Sequence, residues 1–121
     1  MRAKFINELK KITGGDCYYI AGKFMMDLGK NDDHLLVHSM VDGRGPLEGI
    51  RFGHAWIEYE DMVIDKSNGK YREIPTDLYY TLGNVRKEDT KYYTHDEMIK
   101  WLLETEHWGP WEMSGDPIKL Y

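Results

Sequence analysis

Residues 50–65 constrain the fold more than any other part of the chain. Ile50 to Tyr59 reads as a strand, and Met62 to Asp65 reads as a second one after a turn at Glu60-Asp61. Two such runs this close together form a hairpin, and the short turn sets the register. With Tyr59 opposite Met62, Ile57 faces Ile64 and Trp56 faces Asp65. Side chains alternate along a strand, so Phe52, His54, Trp56 and Asp65 share one face. His54 is then a diagonal neighbour of Asp65, about 7–8 Å away between backbones and within reach of long side chains.

The flanking segments supply helices. Phe5, Leu9 and Ile12 have helical spacing, which predicts a short amphipathic helix over residues 2–12, broken by Thr13-Gly14-Gly15. Asp16 is placed to cap a second helix running to about Leu28, with Cys17, Ile20, Ala21, Phe24 and Leu28 on its buried stripe. Leu35 to Val41 is a further strand, followed by a turn-rich loop at Asp42-Gly43-Arg44-Gly45-Pro46. That loop lacks the spacing and the following helix of a phosphate-cradling loop. Tyr71 to Ile74 adds a short strand before Pro75. The period over residues 76–93 is undecided between helix and strand. Thr94 followed by Glu97 is a capping-box signature for a last helix, whose apolar side is Met98, Ile99, Trp101, Leu102 and Leu103. His107-Trp108-Gly109-Pro110-Trp111 stops it and reads as a lid over the core. The expected fold is one α+β domain over residues 1–121: N-terminal helices packed on a small antiparallel sheet, with a C-terminal helix.

Composition narrows the function classes. The 121 residues carry a formal net charge of -5, and no Lys/Arg cluster exceeds the pairs Lys10-Lys11 and Arg86-Lys87, which argues against a nucleic-acid partner. No apolar run approaches the ~20 residues that span a bilayer. Met1-Arg2-Ala3-Lys4-Phe5 leads into charged residues rather than an apolar signal core. The expectation is a cytoplasmic protein with no membrane partner, whose single cysteine excludes an internal disulfide. The five histidines show no metal-ligand spacing, so no metal and no other cofactor is expected, although His38 lies on the strand before His54.

Cys17, His54 and Asp65 together suggest nucleophilic chemistry. The attacking form of a cysteine is the thiolate, and a free thiol with a pKa near ~8.5 is mostly protonated at neutral pH. A helix start offers unpaired N–H groups and the positive end of the helix dipole, both favouring the anion. His54 supplies an imidazolium beside it and a proton for a leaving amine. Asp65 fixes the tautomer of His54, unless it merely caps the turn at Lys66-Ser67-Asn68-Gly69; the two roles are compatible. The Cys17 N–H is a natural oxyanion donor. Against this stands the plain alternative that Cys17 is a small buried core residue.

The order Asp16-Cys17, then Gly53-His54-Ala55-Trp56-Ile57-Glu58, then Val63-Ile64-Asp65 resembles the papain-like superfamily, in particular its transglutaminase-like and NlpC/P60-like branches. The resemblance covers roughly residues 13–68. It implies Cys at the start of a helix packed on an antiparallel sheet, with His and Asp on successive strands. It further implies a cysteine-dependent hydrolase or acyl transferase acting on an amide or peptide bond, with Cys17, His54 and Asp65 catalytic and a protein, peptide or small amide as substrate. Trp56, Tyr18 and Tyr19 are the expected substrate-binding residues. Papain-like peptidases commonly add an upstream Gln to the oxyanion hole, and this chain contains no Gln. Asn7 is the sole upstream amide, so Tyr18, Tyr19 or a backbone group would have to serve. The second expectation is a non-catalytic binding or inhibitor module on the same scaffold.

Overall fold

The computed structural model describes residues 16–112. The helix expected over residues 2–12, the Thr13-Gly14-Gly15 break and Asn7 lie outside the described residues. Within them the elements run α1 (Cys17–Leu28), β1 (His34–Asp42), β2 (Arg51–Tyr59), β3 (Met62–Asp65), β4 (Arg72–Pro75), α2 (Thr76–Gly83), β5 (Lys91–Tyr93) and α3 (His95–Thr105). The class is α+β, as expected. The strands form one antiparallel sheet in the order β4-β3-β2-β1-β5. The first four strands are a meander, and β5 returns to the far edge beside β1.

The hairpin has the register read from its pattern: Tyr59 pairs with Met62 and Ile57 with Ile64. Its turn puts Glu60 in the left-handed region at φ 55°. The sheet buries both faces. On one, α1 and α3 cover Leu36, Ala55, Ile57, Ile64 and Tyr93; on the other, α2 and Leu47 cover Val37, Val41, Phe52, Trp56 and Val63. That is why every residue of β1 from Leu36 to Val41 is buried, since a strand enclosed on both faces has no polar side to present.

Local chemistry explains the boundaries. The Asn31 side chain joins α1 to β1 by donating to the Gly29 carbonyl at 2.9 Å and accepting from the His34 N–H at 2.9 Å. Gly43 is needed where the next loop closes, because a Cβ there would lie 2.3 Å from the Leu47 carbonyl oxygen. The loop thus serves to drop Leu47 into the core. Residues 76–93 resolve into α2, a short 3-10 turn and β5; α2 opens after Pro75 and stops at Asn84 in the left-handed region. Thr94 and Glu97 form both hydrogen bonds of the capping box of α3.

Three expectations are corrected. Asp16 makes no side-chain cap; its carbonyl accepts the ordinary helical bond from the Ile20 N–H at 2.9 Å. The buried stripe of α1 is Cys17, Tyr18, Ala21, Gly22 and Met25, while Leu28 is exposed. The helix is rotated because it is covered twice, by the sheet and by Trp108, whose ring sits where a Cβ on Gly22 would be, at 2.5 Å. On α3, Leu103 is exposed and Met98 is the buried anchor. Trp108 and Trp111 do pack against the α1-side core, as a lid would.

His38 is buried on that side in a box of rings, with centroids of Tyr18, Tyr93 and Trp111 at 4.9, 5.0 and 4.9 Å. Neither ring nitrogen has a hydrogen bond among the described residues. Burial pushes its pKa down from 6.5 to about 3. The unfolded chain therefore binds a proton on this ring that the folded chain refuses. Stability should fall as pH drops from 6.5 towards about 3, with a slope approaching about 1.4 kcal/mol per pH unit from this group. His38→Phe should flatten that slope in urea unfolding series between about pH 4 and 7.

Candidate active site

The site is assembled around the carboxylate of Asp65, the last residue of β3. Its Oδ2 accepts from His54 Nε2 at 3.0 Å and from the Tyr79 hydroxyl at 2.7 Å. Its Oδ1 accepts the Ser67 backbone N–H at 2.8 Å. Turn-capping and histidine-holding are therefore divided between two oxygens of one side chain. Burial alone would raise the Asp65 pKa, but the bonds and charge of His54 and the bonds from Ser67 outweigh it. The group is held well below the usual carboxylate range.

An ionised carboxylate only accepts hydrogen bonds, so Nε2 of His54 carries a proton. Nδ1 is buried and closes no hydrogen bond of good geometry, which leaves it as the nitrogen available for proton exchange. Phe52 and Trp56, the neighbours of His54 on the same face of β2, flank its ring at 6.1 and 6.0 Å. Burial of His54 acts to lower its pKa. The electrostatic and hydrogen-bonding influence of Cys17, with the bond and charge of Asp65, acts upward and prevails, raising it to about 10.

Cys17 is the first residue of α1 and is 4% exposed. Its N–H belongs to the first turn, whose donors have no intrahelical acceptor. That turn contains no acidic side chain to neutralise the positive helix end. The charge of Cys17 acts on Tyr79 as well as on His54, so the thiol belongs to the same electrostatic cluster. Burial, Asp65 and Cys17 together raise the Tyr79 pKa far above its ordinary value, so this hydroxyl keeps its proton.

The structure brings Cys17, His54 and Asp65 together. Of the three aromatic residues expected to bind substrate, Trp56 stands beside the His54 ring, and Tyr18 and Tyr19 follow Cys17 on α1. Trp56 is 1% exposed, packed against Tyr79 and Tyr80, with its Nε1 donating to Glu58. Tyr18 turns into the α1-side core against His38. Tyr19 is exposed and meets Trp108 edge-on at 5.2 Å. His38 pairs with Ala55 and Ser39 with His54, so the two histidine rings stand on opposite faces of the sheet. Among the described residues no group of three or more His, Cys, Asp or Glu could hold a metal ion, and no helix is long and apolar enough to cross a membrane.

Two spaces adjoin the site. The one lined by Cys17 is small, about 10 Å³, and lies between α1 and the sheet. The other is an open cleft of about 290 Å³ beside His54 and Asp65, lined also by Phe52, Ile74, Arg44 and Arg72. Ser67 lines both. Tyr79, Ser67 and Arg72 were not singled out in the sequence reading. For Tyr79 a signal existed: Pro75, then Asp77 in a first turn, then Gly83-Asn84 mark a helix start and stop around it.

No family model, curated protein or solved structure matches the chain.

Asp65→Asn should lower the His54 pKa from about 10, followed by ring NMR signals during titration. It should also cost about 3–5 kcal/mol in chemical unfolding, as expected for breaking a buried ion pair. Tyr79→Phe removes one of the donors to Asp65 and should cost about 1–3 kcal/mol in the same assay.

Proposed function

We propose that the protein is a cysteine-dependent hydrolase or acyl transferase acting on an amide bond, with Cys17 as nucleophile, His54 as base and acid, and Asp65 as the residue that orients His54. One observation carries this reading: Asp65 takes Nε2 of His54, leaving Nδ1 for a ring on which Cys17 acts directly. A lone thiol stays reduced most readily in a reducing compartment such as the cytoplasm, which is the location proposed with this reading. The succession of a helix-start cysteine, a strand histidine and an acid on the next antiparallel strand supports the likeness to papain-like enzymes.

The chemistry follows from the proton inventory. The Cys17 thiolate adds to the carbonyl carbon, and the oxyanion receives the Cys17 backbone N–H. The tetrahedral intermediate collapses as the C–N bond breaks, and the protonated His54 gives its Nδ1 proton to the departing amine. The acyl group is left as a thioester on Cys17. Water then attacks with neutral His54 taking its proton, and thiolate departure regenerates the starting pair. An amine in place of water gives transfer. Asp65 keeps Nε2–H in place throughout.

A second reading rests on the burial of Cys17 and the small size of the space it lines: a module that binds through the neighbouring cleft without turnover. Thiol reactivity separates the two. For an enzyme, iodoacetamide should alkylate Cys17 at about pH 6.5 some 10- to 100-fold faster than free cysteine, the range set by the thiolate fraction and its reduced nucleophilicity. His54→Ala should abolish the excess. Ordinary or slower alkylation of the folded protein would remove the nucleophile. If turnover on an amide is found, its rate should decline as pH rises through about 10, where His54 loses the proton the leaving amine needs.

A further inference from the structure

The charges lining the open cleft are unequally matched. Asp42 accepts from Arg51 at 2.9 Å and from Asn84 at 3.1 Å. Asp65 is occupied by His54, Tyr79 and Ser67. Both anions of the cleft are therefore fully engaged by the protein. Of the two arginines, Arg44 donates one Nη2 bond at 2.7 Å to the Leu82 carbonyl, a neutral acceptor that leaves its charge uncompensated. Arg72 has no ion pair or side-chain hydrogen bond among the described residues.

Arg72 is also well placed. It pairs directly with Asp65 across β3 and β4, which puts the two side chains on one face of the sheet. Its charge acts on the Tyr79 hydroxyl, the group bonded to Asp65. A guanidinium offers a planar fork of donors suited to a carboxylate, and here the fork is unspent. Phe52, Ile74 and Leu82 supply apolar surface between the two arginines and the histidine.

We infer that the cleft beside His54 receives a group bearing a free carboxylate, held by Arg72 with Arg44 adding positive potential, so that the substrate or ligand is an acidic acyl compound rather than a neutral or basic one. As a statement about substrate it rests on the nucleophile reading of Cys17; as a statement about the cleft it does not. No residue of the triad has to change its role: the cleft is lined by His54 and Asp65, and the carboxylate anchors the acyl part beside them.

Glutarate and glutaramide, equal in length and different in charge, are the probes. Added to the folded protein, glutarate should shift the ring signals of His54 saturably, and glutaramide should bind at least about 10-fold more weakly. Arg72→Gln, at an exposed position, should weaken glutarate about 10-fold or more and leave glutaramide unchanged; Arg72→Lys should fall between. The proposal is overturned if neither compound binds, if both bind alike, or if Arg72→Gln leaves glutarate binding intact. In parallel, the ratio of Cys17 alkylation by iodoacetate to that by iodoacetamide should drop in Arg72→Gln through the iodoacetate rate alone. An equal loss of both rates would show Arg72 acting on the triad, and would overturn its assignment as an anion receptor. Glutarate binding that depends on Arg72, together with an inert thiol, would uphold the cleft and remove the nucleophile.

Discussion

The Asp65 carboxylate joins parts of the chain that would otherwise be independent. It ends β3, takes the imidazole of β2, receives a hydroxyl from α2 and starts the turn towards β4 through the Ser67 N–H. A buried carboxylate is tolerable only when its lone pairs are met by donors, and three donors from three places in the chain meet this one. The orientation of His54 thus follows from the satisfaction of Asp65. Moving the strand end, the turn or the helix would leave a charge buried without partners, which couples the geometry of the site to the stability of the fold.

The rest of the architecture makes this possible by covering both sides of the sheet. The α1 face carries the nucleophile candidate, and the α2 face carries the histidine and acid. Cys17 stands at the start of its helix, and its influence on His54 and Tyr79 is electrostatic as well as local, while Ala55, small and buried, lies beneath α1. The two faces differ in character. The α1 side closes over His38 with rings and leaves it without a hydrogen bond among the described residues; the α2 side opens into the cleft and supplies every donor its acid needs.

Much of the candidate site was legible in the residues because local rules decide it. A short hairpin turn and a period of two suffice to bring His54 and Asp65 to one face, and the observed pairing of Ile57 with Ile64 has that register. The capping box at Thr94 is equally local. The remainder depends on tertiary neighbours. The rotation of α1 comes from Trp108 packing on Gly22, a contact between distant parts of the chain that helical periodicity does not contain. Trp56 shares a face with His54, as alternation places it, but its cover by α2 comes from a distant part of the chain. Tyr79 escaped notice because the aromatic pair Tyr79-Tyr80 divides its duties: the first hydroxyl goes to Asp65 and the second to Glu58.

The bond from Tyr79 to Asp65 has a consequence for the chain before it is fully folded. The hairpin can bring histidine and aspartate near one another by itself, but the acid lacks one of its donors until α2 docks, and Cys17 arrives with a helix from the other side of the sheet. The parts come from three separate elements of the chain: the first helix, the hairpin and α2. A molecule in which α2 has lifted away holds an imidazole without its full support and a thiol with ordinary surroundings. The surroundings of the thiol and of the imidazole are thereby tied to the completed fold.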